Sequence, residues 1–79
     1  MTVDFGEYYG VTVHHAEHIG PRLHRAKGEV FRRDTFKVIG HVTGEGTTRS
    51  SADDRCIEAG RDWVRGKGEP EDWKGTKRS

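Results

Sequence analysis

Hydrophobic and polar residues alternate most clearly in "EYYGVTVHH", residues 7–15, where Tyr9, Val11 and Val13 fall on one side of an extended chain and Tyr8, Thr12 and His14 on the other. Period-two patterning with β-branched and aromatic residues predicts a half-buried strand. "HIGPR" follows and breaks it with Gly20-Pro21. A second alternating run, "FKVIGHVTGEG" over 36–46, puts Phe36, Val38 and Val42 on one face and Lys37, Ile39 and His41 on the other. Between the two runs the pattern is mixed. Leu23, Ala26, Val30 and Phe31 fit helical spacing after Pro21, but Gly28 costs about 1 kcal/mol inside a helix and Val30-Phe31 favours a pleat. The expectation for 22–33 is an irregular connection entering a strand at about 29–33, then a tight turn near Asp34-Thr35.

Periodicity changes after "GEGTTRSS". Ala52, Cys56, Ala59 and Trp63 lie within about 60° of one another at 100° per residue, with Ile57 and Val64 at one edge. Asp54, Arg55, Glu58, Arg61, Asp62 and Arg65 occupy the other side. This predicts a helix over about 51–65, capped by Ser50 or Ser51, with Asp53 and Asp54 near its positive end, Arg61 and Arg65 in its last turn and Gly66 ending it. Trp63 is the largest residue on the stripe.

The expected architecture is α+β: a small antiparallel sheet of two to three strands with one C-terminal amphipathic helix packed on one face. Residues 1–68 form a single domain and 69–79 a flexible polar tail that contains Trp73. If the helix covers Tyr9, Val11, Val13, Phe36, Val38 and Val42, the open face shows Thr12, His14, Lys37, Ile39 and His41.

Composition restricts what such a fold can do. Seventy-nine residues with 30% apolar content supply a thin core. Too few walls remain for a deep cleft, so a non-enzymatic protein without a cofactor is expected. The net charge of +1 is unevenly spread. Asp4, Glu7 and Glu17 stand in 1–17 without a Lys or Arg, whereas 18–49 carries Arg22, Arg25, Lys27, Arg32, Arg33, Lys37 and Arg49 against Glu29, Asp34 and Glu45. A basic middle segment points to an anionic partner. Cys56 is the sole cysteine, no apolar run is long enough to cross a bilayer, and "MTVDFGEYYG" lacks the features of a secretory signal. These features together suggest a cytoplasmic protein without a membrane partner.

Three motifs invite chemistry. His14-His15-Ala16-Glu17-His18 has the H-x-x-E-H spacing of one zinc-peptidase class. That chemistry requires a helix; in a strand His14 and His18 are roughly 13 Å apart, too far for one zinc, so no metal site is expected. Cys56 lies on the apolar stripe and reads as core. The order strand, G-x-G, serine, helix over about 36–64 is similar to the second half of a double-stranded-RNA-binding domain. That family places phosphate-gripping lysines at the helix start, where this chain has Asp53 and Asp54, so the similarity transfers no function.

The remaining candidate is the basic segment. Arg22, Arg25, Lys27, Arg32, Arg33, Lys37 and His41, with Phe31 and Phe36 among them, suit phosphate contact and stacking. The sequence therefore suggests a binding module for an anionic partner, with nucleic acid or a nucleoprotein first. A phage-type protein inhibitor of the anti-CRISPR kind, acting by protein–protein contact, is the alternative, and a histidine zinc-binding protein a remote one. Oligomeric state is open.

Overall fold

A computed structural model of the chain describes residues 1–73. Five strands, β1 (Thr2–Phe5), β2 (Tyr9–Val13), β3 (Glu17–Gly20), β4 (Leu23–Arg32) and β5 (Val38–Gly46), precede one helix, α1 (Arg49–Val64). All strand pairings are antiparallel and belong to one sheet. The α+β class stands, but five strands replace the expected two to three.

The ten-residue β4 organises the sheet. Along one side, β2 pairs with its second half (Val13↔Gly28 to Tyr9↔Arg32) and β3 with its first (Glu17↔Arg25 to Gly20↔Leu23), so β2 and β3 lie end to end. β1 flanks β2, and β5 runs along the other side of β4. The segment expected as an irregular connection is thus the central strand. Gly28, which weakened the helical reading, sits mid-strand beneath α1; a Cβ there would stand 2.9 Å from Cys56 Sγ and 3.1 Å from Val11 Cγ2.

One sheet face carries Tyr9, Val11, Val13, Ala26 and Val30, which are buried together with Ala52, Cys56 and Val64 of α1. The helical stripe is real but rotated towards its smallest residues: Gly60 is buried, whereas Ala59 and Trp63 are only partly so. Small residues on both surfaces bring helix and sheet close, which is how so few large side chains suffice. Cys56 is fully buried, and burial together with nearby Asp53 pushes its thiol pKa up.

Three local expectations change. Thr48 caps α1: its hydroxyl accepts from Ser51 N–H at 3.1 Å while Ser51 Oγ accepts from Thr48 N–H at 3.1 Å, so Ser51 is the third-residue partner of a capping box. Asp53 and Asp54 lie beyond the first turn, which holds no acidic residue. Finally, a bulge interrupts the β4–β5 ladder between Val30↔Gly40 and Phe31↔Val38. The extra residue turns Ile39 towards the core and carries Val38 and Phe36 off the helix face, leaving them 41% and 73% exposed.

Residues 69–73 are the described part of the segment expected as a flexible polar tail, and Asp72 and Trp73 among them contact the domain. Tyr9 OH donates to Gly68 C=O at 3.0 Å, Asp72 pairs with Arg32 at 2.7 Å, and Trp73 meets Tyr8 edge-on at 5.0 Å between ring centroids. The rest of that tail lies outside the described residues.

Trp63 covers Gly40, where a Cβ would come within 2.5 Å of its ring, and Lys67 Nζ sits 4.7 Å above that ring. A half-buried Trp at the rim contributes less than a central one. Trp63→Ala should cost about 2–3 kcal/mol and lower the melting temperature by roughly 10–20 °C, below the 3–5 kcal/mol typical of full burial. A thermal melt followed by circular dichroism measures this; a wild-type midpoint would show that α1 does not depend on the Trp63 contact.

Candidate binding face

The sheet face away from α1 is open, and the strand register reads it in cross-strand rows. Thr2, Thr12, Glu29 and His41 form one row, and Glu17, Arg25 and Glu45 another. His14 N–H donates to Lys27 C=O at 2.8 Å, setting His14 beside Lys27 and Thr43. His14 Nε2 lies 2.9 Å from Glu29 Oε1, and Arg25 donates through Nε and Nη2 to Glu45 Oε2 at 2.9 and 2.7 Å. With Asp4 the face holds the carboxylates Asp4, Glu17, Glu29 and Glu45 against the cations Arg25 and Lys27 and the titratable His14 and His41. Mixed charge, rather than a basic field, characterises it.

The residues singled out in the sequence are not gathered in one place. Lys27 and His41 line a shared shallow groove with His14, Glu29 and Thr43. Arg25 is on the same face but engaged by Glu45. Arg22 is exposed in the β3–β4 turn, beside Thr47 and Arg55, and Lys37 is exposed in the β4–β5 turn. Arg33 donates to Gly6 C=O at 2.6 Å and approaches Asp4 at 3.4 Å, clamping the β1–β2 turn. Arg32 is the least available. Its side chain is 12% exposed; it donates through Nε and Nη2 to both oxygens of Asp34 (3.0 and 2.6 Å) and through Nη1 to Asp72 (2.7 Å). The hydrogen bond to Asp34 holds the guanidinium pKa above its ordinary value against the opposing effect of burial. The same guanidinium holds the Asp72 carboxyl below the usual range. A lowered carboxylate pKa adds stability above its unfolded value that is lost as pH falls through the folded one; Asp72 is mostly exposed, so its share is small.

At one end of the open face is an aromatic corner. Phe31 lies over Gly10, where a Cβ would come within 2.6 Å of the ring, and Phe36 tilts against Phe31 at 6.0 Å between centroids. With Thr2, Thr12, Glu29 and Val38 they line a groove of ≈ 240 Å³, smaller than the roughly 300–1,000 Å³ of small-molecule pockets. Phe36 adopts φ 59°, a left-handed conformation that disfavours large side chains. The turn therefore holds an exposed aromatic where glycine would fit more easily. Sequence reasoning placed Phe36 and Val38 in the core; the bulge that exposes them has no signature in the alternation itself.

The histidine motif does not assemble. His14 turns to the open face, while His18 stacks on His24 (4.8 Å, 17° between planes) on the opposite side, where His24 pairs with Gly46 under α1. The irregular His14–Ala16 link between β2 and β3 reverses the facing expected for one continuous strand. Among the described residues no group of three His, Cys, Asp or Glu side chains is placed to hold a metal, and no helix is long and apolar enough to cross a membrane. No protein family, curated protein or solved structure matches the chain.

Proposed function

We propose that the protein is a non-enzymatic binding module that occupies a partner protein through the Phe31–Phe36–Val38 corner and the mixed-charge face beside it. Steric occupation is the mechanism, as an inhibitory contact requires. The observation that carries this reading is Phe36: 73% exposed, in a strained backbone conformation, at the edge of a groove. Strain retained at an exposed aromatic is the pattern of a functional anchor, and aromatic residues dominate the energetic centre of protein interfaces. Salt bridges within the chain engage Arg25, Arg32 and Arg33, which favours a protein over a polyanion.

A nucleic-acid partner is the second reading, favoured by Lys37 beside Phe36: an exposed cation next to an exposed ring suits a phosphate and a stacked base. Phe36→Gly tests both. It removes the anchor and relieves the positive φ, so the melting point should hold or rise while partner capture from a lysate is lost. Capture of one protein by wild type, unaffected by nuclease, supports the first reading. Capture abolished by nuclease, or falling steeply with salt, replaces it with the second. Equal capture by Phe36→Gly and wild type removes the corner from either interface.

A further inference from the structure

We propose that the outer edge of β5 is a self-pairing edge, joining two copies of the chain in one continuous antiparallel sheet centred on Thr43. The direction of the main chain in β4 establishes which groups are open. His14 N–H donates to Lys27 C=O and Arg33 N–H to Tyr8 C=O, while Arg32 N–H donates to Lys37 C=O. Odd residues of β4 therefore turn their amides and carbonyls towards β2, and even ones towards β5. The register Ala26↔Gly44, Gly28↔Val42 and His24↔Gly46 then turns Val42, Gly44 and Gly46 inward. His41, Thr43 and Glu45 point their N–H and C=O outward, and among the described residues no strand other than β4 pairs with β5.

Natural sheets protect such an edge with Lys, Pro or a bulge. From His41 to Glu45 there is no Lys, Pro or bulge, and the carboxylate of Glu45 is held by Arg25 of its own chain; the bulge lies before them, at Ile39. The stretch is also self-complementary. Antiparallel pairing centred on Thr43 sets Thr43 opposite Thr43 and His41 opposite Glu45, twice by symmetry, and satisfies all three outward residues of each copy. A slip by two residues would use only two of them. Parallel pairing would set Glu45 against Glu45.

Side-chain rows extend the match beyond the seam. One copy contributes Glu17, Arg25 and Glu45 in register. The second continues with His41, Glu29 and Thr12. Acid and base alternate from Glu17 of one copy to Glu29 of the other, with each His41 between its own Glu29 and the other copy's Glu45. Opposite charges at directly facing positions stabilise a pair and like charges oppose it. Such an isologous contact closes as a dimer. It leaves the open face continuous across both copies, and it does not depend on the aromatic corner.

Sedimentation equilibrium of the whole chain tests this. Wild type should give twice the 8.9 kDa chain mass. Thr43→Pro removes an N–H that points outward, away from β4, so this variant should keep the wild-type circular dichroism and sediment as a monomer. His41→Glu should raise the dimer dissociation constant roughly tenfold by facing two pairs of carboxylates, and it decides the matter if Thr43→Pro fails to fold. A wild type that stays monomeric up to about millimolar concentration overturns the proposal, including the case in which the edge serves a foreign extended segment. A dimer that survives either substitution unweakened overturns the β5 seam.

Discussion

Gly44→Ala should destabilise the fold by about 3 kcal/mol or more, though it adds a single methyl group. A Cβ at Gly44 would stand 2.6 Å from both Ala52 O and Arg55 C and would collide with Cys56 N. All three are backbone atoms of α1, so no side chain can rotate away. Ordinary van der Waals contact begins at 3.4 Å, so the helix must withdraw by roughly 1 Å over its first half. That withdrawal loosens Ala52 and Cys56, both fully buried now, and much of the contact between α1 and β5. Overpacking against a rigid neighbour costs about 3 kcal/mol or more. At roughly 0.05–0.15 kcal/mol per residue the whole domain is stable by only about 4–12 kcal/mol. The melting temperature should therefore fall by about 12–24 °C, read by circular dichroism. Gly68→Ala is the control, since nothing lies within 4 Å of its added methyl, and it should melt like wild type. A wild-type midpoint for Gly44→Ala would mean that helix and sheet do not approach as closely as described.

Gly44 also shows what the sequence could and could not disclose. Alternation identified β2 and its buried side, because Tyr9, Val11 and Val13 repeat at period two without interruption. Helical spacing identified α1 to within two residues at its start, because its opposite face is almost wholly charged. Glycine defeated the rest. Gly28, Gly40, Gly44 and Gly46 carry no hydropathy signal, yet they form the surface on which α1 lies, and Gly60 is the point where the helix approaches Val11 and Phe5. A pattern method weights side chains, and close packing here depends on their absence. The short β1 and β3 were missed for another reason: four residues each, largely exposed, they owe their form to pairing with β2 and β4. The aromatic corner was misplaced because one bulge residue inverts the facing of everything before it on β5. The basic residues were legible as charges, but their partners come from distant or turn positions that spacing does not connect.

Arg32→Ala is the sharpest consequence of those partners. As a phosphate contact, Arg32 would be dispensable for folding, and its loss would flatten the salt dependence of binding by about one unit. The structure gives it a different task. The Asp34 side chain is 0% exposed, and both its oxygens accept from the Arg32 guanidinium. Removing the cation takes away the guanidinium to which both oxygens of this shielded carboxylate bond, while Thr35 N–H still donates to it at 2.8 Å. Breaking one side of a buried pair is strongly destabilising. Asp72 loses its partner at the same time, which releases the segment that holds Trp73 on Tyr8. Arg32→Ala should lower the melting temperature by roughly 10 °C or more and change the tryptophan fluorescence before unfolding begins. Arg32→Lys should rescue little, because an ammonium cannot reproduce the two-pronged contact. The double variant Arg32→Ala with Asp34→Ala should melt higher than Arg32→Ala alone, since the carboxylate that lost its guanidinium is then gone. Should Arg32→Ala instead melt like wild type while losing its partner, Arg32 belongs to the interface after all, and the clamp between β4 and the chain after α1 is not what holds that end of the fold together.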